Sequence, residues 1–346
     1  MNPAFIHLRV HSEYSLVDSV IRLDELFVRL QNEQTPAIAL TDQNNFFAAV
    51  KFYKAALKAG IKPVLGVDLL LMNPAKPLEP MRATFLCQNR EGYRHLTELV
   101  SRAYTEGQRQ GVPQVDLSWL TPALCDGLIV LLNYQSELAF ALNSSSPSMA
   151  ADVLRRWQNL FPSRLYIELS RTDKAAEAFF EKLVLPLAFE QQLPLVATND
   201  VRFLDKSDFE AHEARVAIHD SVALDDPRRD RRYTDSQYLR SAAEMHSLFS
   251  DLPEALTNTV EIAKRCSVFW ELGQTCLPNY PTGDLSTEAY LTKESERGLT
   301  NRFAFLASQA HIARIKDIPD SDYWERLAIE LKVINQMGFA GYFLIV

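Results

Sequence analysis

Seven short apolar runs, separated by segments of helical periodicity, constrain the first 204 residues more than any other feature of the chain. The runs are residues 5–10, 37–40, 63–71, 83–87, 128–132, 165–169 and 195–198. Their lengths suit strands better than buried helices. Several are nearly continuous in apolar character, as expected of parallel strands buried on both faces. Helical stretches lie between most of them. Residues 21–30 carry Ile21, Leu23, Leu26, Phe27 and Leu30 at helical spacing, and residues 46–59, 91–104, 149–160 and 174–191 follow the same rule. Residues 106–124, with Pro113 and Pro122, are less regular and read as a loop-rich excursion. This alternation predicts an α/β fold with a parallel sheet. Seven units are too few for the eightfold barrel but enough to close a smaller or distorted one. An open doubly wound sheet is the rival. Against it, no G-x-G-x-x-G follows any strand, and Gly is only 11 of 346 residues.

A formal net charge of −8 gives no global attraction to nucleic acid, so any such contact needs a local basic face. The most basic run, residues 227–233, is mixed with Asp225, Asp226 and Asp230 and reads as a solvated loop. Cys87, Cys125, Cys266 and Cys276 show no C-x-x-C spacing, which argues against a zinc ribbon or a disulfide framework and suits a reducing cytosol. No signal peptide or spanning segment is visible, since the longest apolar runs are strand-sized; the expectation is a cytoplasmic protein without a membrane partner. Residues 341–346 would leave five large apolar side chains at a free end, so the chain is expected to be a truncated piece.

Polar residues gather at one end of the strand pattern. His11 follows the first run, and Asp42 and Gln43 follow the second. Asp68 lies inside the third, Asn133 follows the fifth, Glu168 ends the sixth, and Asn199, Asp200 and Arg202 follow the seventh. Any one of these is more often a cap or loop residue than a site. Their recurrence at nearly every strand end points to one shared face, where the chemistry of β/α barrels sits. His7-Leu8-Arg9-Val10-His11 and Thr41-Asp42-Gln43 look like parts of a metal cage whose histidines have become arginine and glutamine. A guanidinium is permanently charged and offers no lone pair to a metal.

His7-Leu8-Arg9-Val10-His11-Ser12-Glu13-Tyr14-Ser15, Thr41-Asp42-Gln43-Asn44-Asn45, residues 60–68 and Ala197-Thr198-Asn199-Asp200-Val201-Arg202-Phe203 resemble the start of the bacterial DNA polymerase III alpha subunits, the replicative C-family DNA polymerases. Residues 217–220, 224–227 and 333–339 extend the resemblance in order over essentially the whole chain. It implies a polymerase-and-histidinol-phosphatase (PHP) domain over residues 1–271, a distorted seven-stranded (β/α) barrel. A mostly helical segment, 272–346, would then begin the polymerase palm, whose catalytic aspartates would lie beyond Val346. Active PHP domains hold three metals on nine ligands. By resemblance those positions fall on Arg9, His11, Asp18, Gln43, Asp68, Arg82, Tyr134, Asp200 and Arg202, with Asp42 preceding Gln43. Only His11, Asp18, Asp68 and Asp200 keep a ligand type.

The resemblance therefore implies a catalytically silent PHP domain that holds no metal, in a DNA polymerase using Mg in its full length. Arg9, Arg82 and Arg202 would replace the metals as counter-charges to the inward carboxylates, Asp42 included. The implied partners are a proofreading exonuclease subunit docked on this region, with primer-template DNA and a sliding clamp on parts of the longer protein. The alternative is a metal-dependent phosphoesterase or 3′–5′ exonuclease that keeps a reduced site on His11, Asp18, Asp68 and Asp200. A third reading is a stand-alone interaction module. In the remainder, residues 253–264, 286–299 and 323–337 read as amphipathic helices, and 278–283 as loop.

Overall fold

A computed structural model describes residues 5–77, 79–144, 147–274, 278–308 and 319–346. The strands are β1 (Ala37–Leu40), β2 (Lys62–Leu71), β3 (Met81–Cys87), β4 (Gln108–Arg109), β5 (Val112–Pro113), β6 (Leu128–Leu132), β7 (Leu165–Ser170) and β8 (Leu195–Thr198). The helices of the first unit are α1 (Leu23–Asn32), α2 (Ala49–Ala59), α3 (Arg90–Thr105), α4 (Glu137–Leu142), α5 (Pro147–Leu160), α6 (Ala175–Glu190), α7 (Phe209–His219), α8 (Ala242–Leu248) and α9 (Pro253–Arg265). The chain divides into two compact units, Met1–Trp270 and Glu271–Val346.

Six strands form one curled sheet in the order β1-β2-β3-β6-β7-β8, and β4 and β5 pair as a small hairpin in the irregular excursion. The sheet is not wholly parallel as the alternation predicted: β3 runs antiparallel to both β2 and β6. No helix separates β2 from β3, so a short return reverses the chain. The reversal matters for the site. It brings the start of β3, at Arg82, beside Leu70 near the end of β2.

The first apolar run, residues 5–10, is buried throughout but is not a regular strand; its strand pairing is a single parallel bridge from Val10 to Val201. It nevertheless joins the two edges of the sheet. The carbonyls of His7 and Val10 accept from Ala39 and Thr41 at 2.9 Å each, and the Arg9 carbonyl accepts from Val201 at 3.1 Å. Side chains take over where the ladder fails. The Ile6 amide donates to Thr259 Oγ1 at 2.9 Å, and the Val10 amide to Thr41 Oγ1 at 3.0 Å. Buried amides must be paired, and two threonines free this segment from strand geometry without orphaning them.

Alternation along the strands divides the inward face into two layers. One is apolar, with Ala37, Val64, Leu86, Ile129, Tyr166 and Val196 in a single cluster with Ile6, Leu8 and, from α9, Val260, Ile262 and Ala263. Two or four residues further along the same face stand Asp68, Thr84, Asn133, Glu168, Thr198 and Asp200, all buried. The other face packs against α1 to α6 in the main core, which includes Phe52, Phe85, Trp157 and Phe161.

Cys87, Cys125 and Cys266 are free and buried, and Cys276 lies outside the described residues. The basic run departs from the solvated reading at Arg229, buried and paired with Glu213 at 2.5 Å, and at Tyr233, part-buried against Asp18. The second unit contains α10 (Thr287–Ser308), α11 (Asp320–Gln336) and α12 (Ala340–Ile345), packed around Leu291, Leu331 and Ala340. Among the described residues, no helix is long and apolar enough to cross a membrane.

Gly92, in the first turn of α3, packs directly on the turn before β6; a Cβ there would lie 1.8 Å from the Gly127 carbonyl oxygen. Backbone cannot yield as a flexible side chain does. Gly92→Ala is expected to destabilise the first unit by about 1–3 kcal/mol, the usual range for overpacking, read as a lower urea midpoint at unchanged slope.

Candidate functional site: an arginine-filled cluster

Arg9 is the centre of the polar layer. Its side chain is fully buried, and three carboxylates surround it. Arg9 Nη2 donates to Asp68 Oδ2 at 2.7 Å, Nη1 donates to Glu168 Oε1 at 3.3 Å, and Nε lies 3.5 Å from Asp200 Oδ1. Each acid comes from a different place on the sheet: Asp68 from β2, Glu168 from β7, and Asp200 from just past β8. One planar cation thus ties three strand ends to the segment that closes the sheet.

Arg202 forms a second cationic centre. Its Nη2 donates to Asp200 Oδ1 at 3.0 Å, and its Nη1 donates to the Asp18 carbonyl at 3.1 Å and lies 3.8 Å from Asp18 Oδ2. Tyr233 donates its hydroxyl to Asp18 Oδ1. Gln237 Nε2 donates to Asp200 Oδ2 at 2.7 Å and to the Asp200 carbonyl at 3.2 Å. Asp200 has φ of 45°, in the left-handed region that costs a side-chain-bearing residue about 1–2 kcal/mol. Arg9, Arg202 and Gln237 together hold it there.

His11 Nε2 lies 3.5 Å from Asp68 Oδ2 and 3.4 Å from Asp200 Oδ1. Its Nδ1 is 3.1 Å from Ser15 Oγ, whose own hydrogen is donated to Asp42 Oδ1. Nδ1 must therefore be the donor, leaving the Nε2 lone pair toward Arg202 Nη2 at 3.4 Å. Burial lowers the His11 pKa and Arg202 lowers it further, against Asp200 and Asp68, which raise it.

The charges set each other's ionisation. Burial would raise Asp200, but Arg202 and Arg9 overcome it and hold the carboxyl well below its usual range. Asp18 is lowered in the same sense, by Arg202, Arg82 and the Tyr233 hydroxyl against the effect of burial. Burial would lower Arg9, yet Asp200, Asp68 and Glu168 keep it well above its ordinary value. Glu168 is raised by burial despite Arg9 and a 2.6 Å bond from Thr198.

Not every expected position joins the cluster. Asp42, expected among the arginine-paired carboxylates, instead accepts from the Ser12 amide and from the hydroxyls of Ser12 and Ser15 at 2.7–2.8 Å. It organises the loop after residue 11, because those donors reach it first. Glu168, expected among the residues of the degenerate site, lies beside Arg9. The Gln43 amide donates to Ser15 Oγ at 3.1 Å, and its buried Oε1 has no protein partner. Asn133 donates to Glu168 Oε2 at 3.3 Å, whereas Asn199 donates to the carbonyls of Ser236 and Tyr238.

Arg82 lies on the rim, one-fifth exposed and 3.8 Å from Asp68 Oδ2. Tyr134 lies beside Lys174, whose Nζ reaches its hydroxyl at 3.4 Å and Asp200 Oδ2 at 3.9 Å. Burial lowers the Lys174 pKa and raises that of Tyr134. Lys174 escaped the sequence reading although it lies four residues past β7, on the same strand-end face. Tyr233 and Gln237 come from irregular backbone that carries no periodic signal. The cluster opens to a cleft of about 390 Å³ lined by Asp18, Arg82, Tyr134, Lys174, Arg202 and Tyr233.

His11, Asp68 and Asp200 are the one group among the described residues whose ligand atoms all lie within 4.8 Å of each other. Of the oxygens nearest His11, Asp68 Oδ2 is engaged by Arg9 and Asp200 Oδ1 by Arg202, while Asp68 Oδ1 is buried without a protein partner. A dication within ligand distance of them would stand against two guanidinium groups.

Residues 7–172 match the PHP domain family, and residues 289–346 match the bacterial DNA polymerase III alpha NTPase domain family. The DNA polymerase III subunit alpha of Pseudomonas aeruginosa is 45% identical over all of this chain, and that of Escherichia coli K12 is 46% identical over 99% of it. Over its whole length the chain is similar to DNA polymerase III alpha subunits. It spans about 29% of the length of those relatives. Among solved structures, a Chromobacterium violaceum amidohydrolase is similar at a TM-score of 0.41 and 12% identity, covering 61% of this chain and 96% of its own.

Two predictions follow from the buried charges. Arg9→Met leaves Asp68, Glu168 and Asp200 without their common cation, and the expected loss is about 3–5 kcal/mol in chemical unfolding. Stability also falls with acid. Burial holds His7 and His212 at a pKa of about 4 in the folded chain, against about 6.5 when unfolded. Between those values the unfolded state binds more protons. The stability due to these neutral rings is complete above pH 6.5 or so and is lost progressively toward pH 4. Urea midpoints measured across that window check it; a flat profile contradicts it.

Proposed function

We propose that this chain is the N-terminal portion of the catalytic subunit of a bacterial replicative DNA polymerase. Template-directed DNA synthesis, with Mg, would belong to the longer protein, and the active aspartates to a palm that starts near residue 272. The identity of about 45% over the whole chain to DNA polymerase III alpha subunits supports this reading.

The PHP domain is then a hydrolytically silent scaffold. The observation that carries this is Arg9, whose guanidinium donates into the carboxylates where a metal cluster would need free lone pairs. Three metals do not fit this donor set, because Arg9, Gln43 and Arg202 cannot act as the anionic or imidazole ligands that such cations need. With no dication there is no metal-bound hydroxide to attack a phosphoester. The domain instead supplies a permanent structural block, and a docking platform for a proofreading exonuclease subunit, in a polymerase acting with primer-template DNA and a sliding clamp.

The proximity of His11, Asp68 and Asp200 favours one alternative, a reduced metal site supporting phosphoesterase or 3′–5′ exonuclease activity. Elemental analysis of the purified chain, alongside nucleotide release from primed DNA, separates the two. The expected result is substoichiometric Zn and Mn and no release. One equivalent of either metal, or release abolished by His11→Ala and Asp200→Asn, would establish the alternative.

A further inference from the structure

Helix α2 presents a face that the rest of the first unit does not use. At 3.6 residues per turn, Val50, Lys51, Lys54, Leu57 and Lys58 fall within about one-third of the helix circumference, and all are exposed. Phe47, in the preceding turn, is 60% exposed, and Leu57 is 55% exposed. The helix contains no acidic residue. Among the described residues, the lysine ion pairs are those of Lys76, Lys174, Lys206 and Lys264, so Lys51, Lys54 and Lys58 have none. Lys51 instead lies over the Tyr14 ring at 5.6 Å. On a chain of net charge −8, three unpaired cations on one helical stripe form a local inversion of sign.

An apolar groove adjoins this stripe. Its volume is about 530 Å³, and its lining includes Tyr53, Leu57, Ile61, Pro63, Val268 and Phe269. Phe269, 78% exposed, and Leu57 stand at its mouth. Adjacent apolar and cationic surfaces of this kind are the complement of an amphipathic helix with acidic flanks.

We infer that α2 and Phe269 form a docking surface for an acidic amphipathic segment of a partner protein. Its apolar side chains enter the groove beside Leu57 and Phe269, and its carboxylates meet Lys51, Lys54 and Lys58. Duplex DNA is the weaker match. It would meet the same lysines but leave the groove empty. This surface shares no residue with the arginine-filled cluster, so it stands or falls apart from the silent-site reading.

The test uses the 346-residue chain and three fluorescein-labelled probes. One is a peptide of about 18 residues with leucines at helical i, i+4 and i+7 spacing and glutamates elsewhere. The second is its twin with lysine for every glutamate, and the third is a duplex of about 20 base pairs. Anisotropy titrations are expected to show binding of the acidic peptide only, weakened by salt. The pairs K54E/K58E and L57S/F269S are each expected to weaken it roughly tenfold, at unchanged Tm because all four positions are exposed. A benzophenone on Leu57→Cys, which leaves the lysines intact, is expected to cross-link the same peptide. The inference is overturned if the acidic peptide does not bind, if both pairs bind it like the native chain, if the Leu57 probe captures nothing, or if the duplex binds more tightly through these lysines.

Discussion

A guanidinium fully withdrawn from water, with carboxylates on three sides, is the constraint on which the rest of the PHP domain depends. Burying the Arg9 charge alone would be prohibitive, and so would burying Asp68, Glu168 or Asp200 alone. Together with Arg202, Arg82, Lys174 and Asp18, they form a set with four positive and four negative residues drawn from widely separated parts of the sequence. Charge balance requires them all at once. The closing segment must lie between β1 and the end of β8, since only there does residue 9 meet acids from β2, β7 and the end of β8. The polar layer therefore acts as a register lock for a sheet whose first member is not a regular strand. An apolar layer of the same volume could pack, but it would not distinguish one register of residues 5–10 from another as sharply.

The closing segment also shows how a fold can accept a strand that the backbone ladder does not complete. Thr41 and Thr259 provide hydroxyl oxygens where carbonyls would stand in a regular sheet. This leaves the peptide units around residues 6 to 10 free to turn, which is what lets both Arg9 and His11 face inward. Strict alternation would allow the same outcome, but Leu8 and Ile6 also join the inward apolar cluster. A segment that sends residues 6, 8, 9 and 11 to one side cannot keep an ideal pleat.

Much of this was legible in the sequence because it follows from periodicity. Six of the seven apolar runs are sheet strands, three with the same ends and three with one end shifted by one or two residues. The polar residues beyond the apolar ones fall on the inward face by alternation alone. The reversal of β3 went unread although its signal, the missing helix between the third and fourth runs, was present, because strands apolar on both faces suggested a parallel sheet throughout. Within the site, Arg9, His11, Asp68, Asp200 and Arg202 stood out because they occur at strand ends within recognisable motifs. Asp42 was misassigned to the arginine network because its serine partners, Ser12 and Ser15, signal an ordinary loop as readily as an anchored carboxylate. Lys174, at the N-cap of α6, was readable from its place past β7, whereas Tyr233 and Gln237 arrive through tertiary packing from irregular segments, which no local pattern records.

The physical difference between a metal and an arginine in this position decides what the domain can do. A bound dication can exchange a ligand for water and lower the pKa of that water. A guanidinium cannot, because its hydrogens are fixed donors and its charge does not titrate in the accessible range. His11 is one candidate base in the cluster. Its Nδ1 hydrogen is committed to Ser15, and its Nε2 lone pair faces the Arg202 guanidinium, which lowers its basicity. Asp200 and Asp18 are held ionised by paired cations and are correspondingly weak bases. The pairing of Asp68 Oδ2 with Arg9 and of Asp200 Oδ1 with Arg202 braces the cluster internally and occupies the oxygens nearest His11.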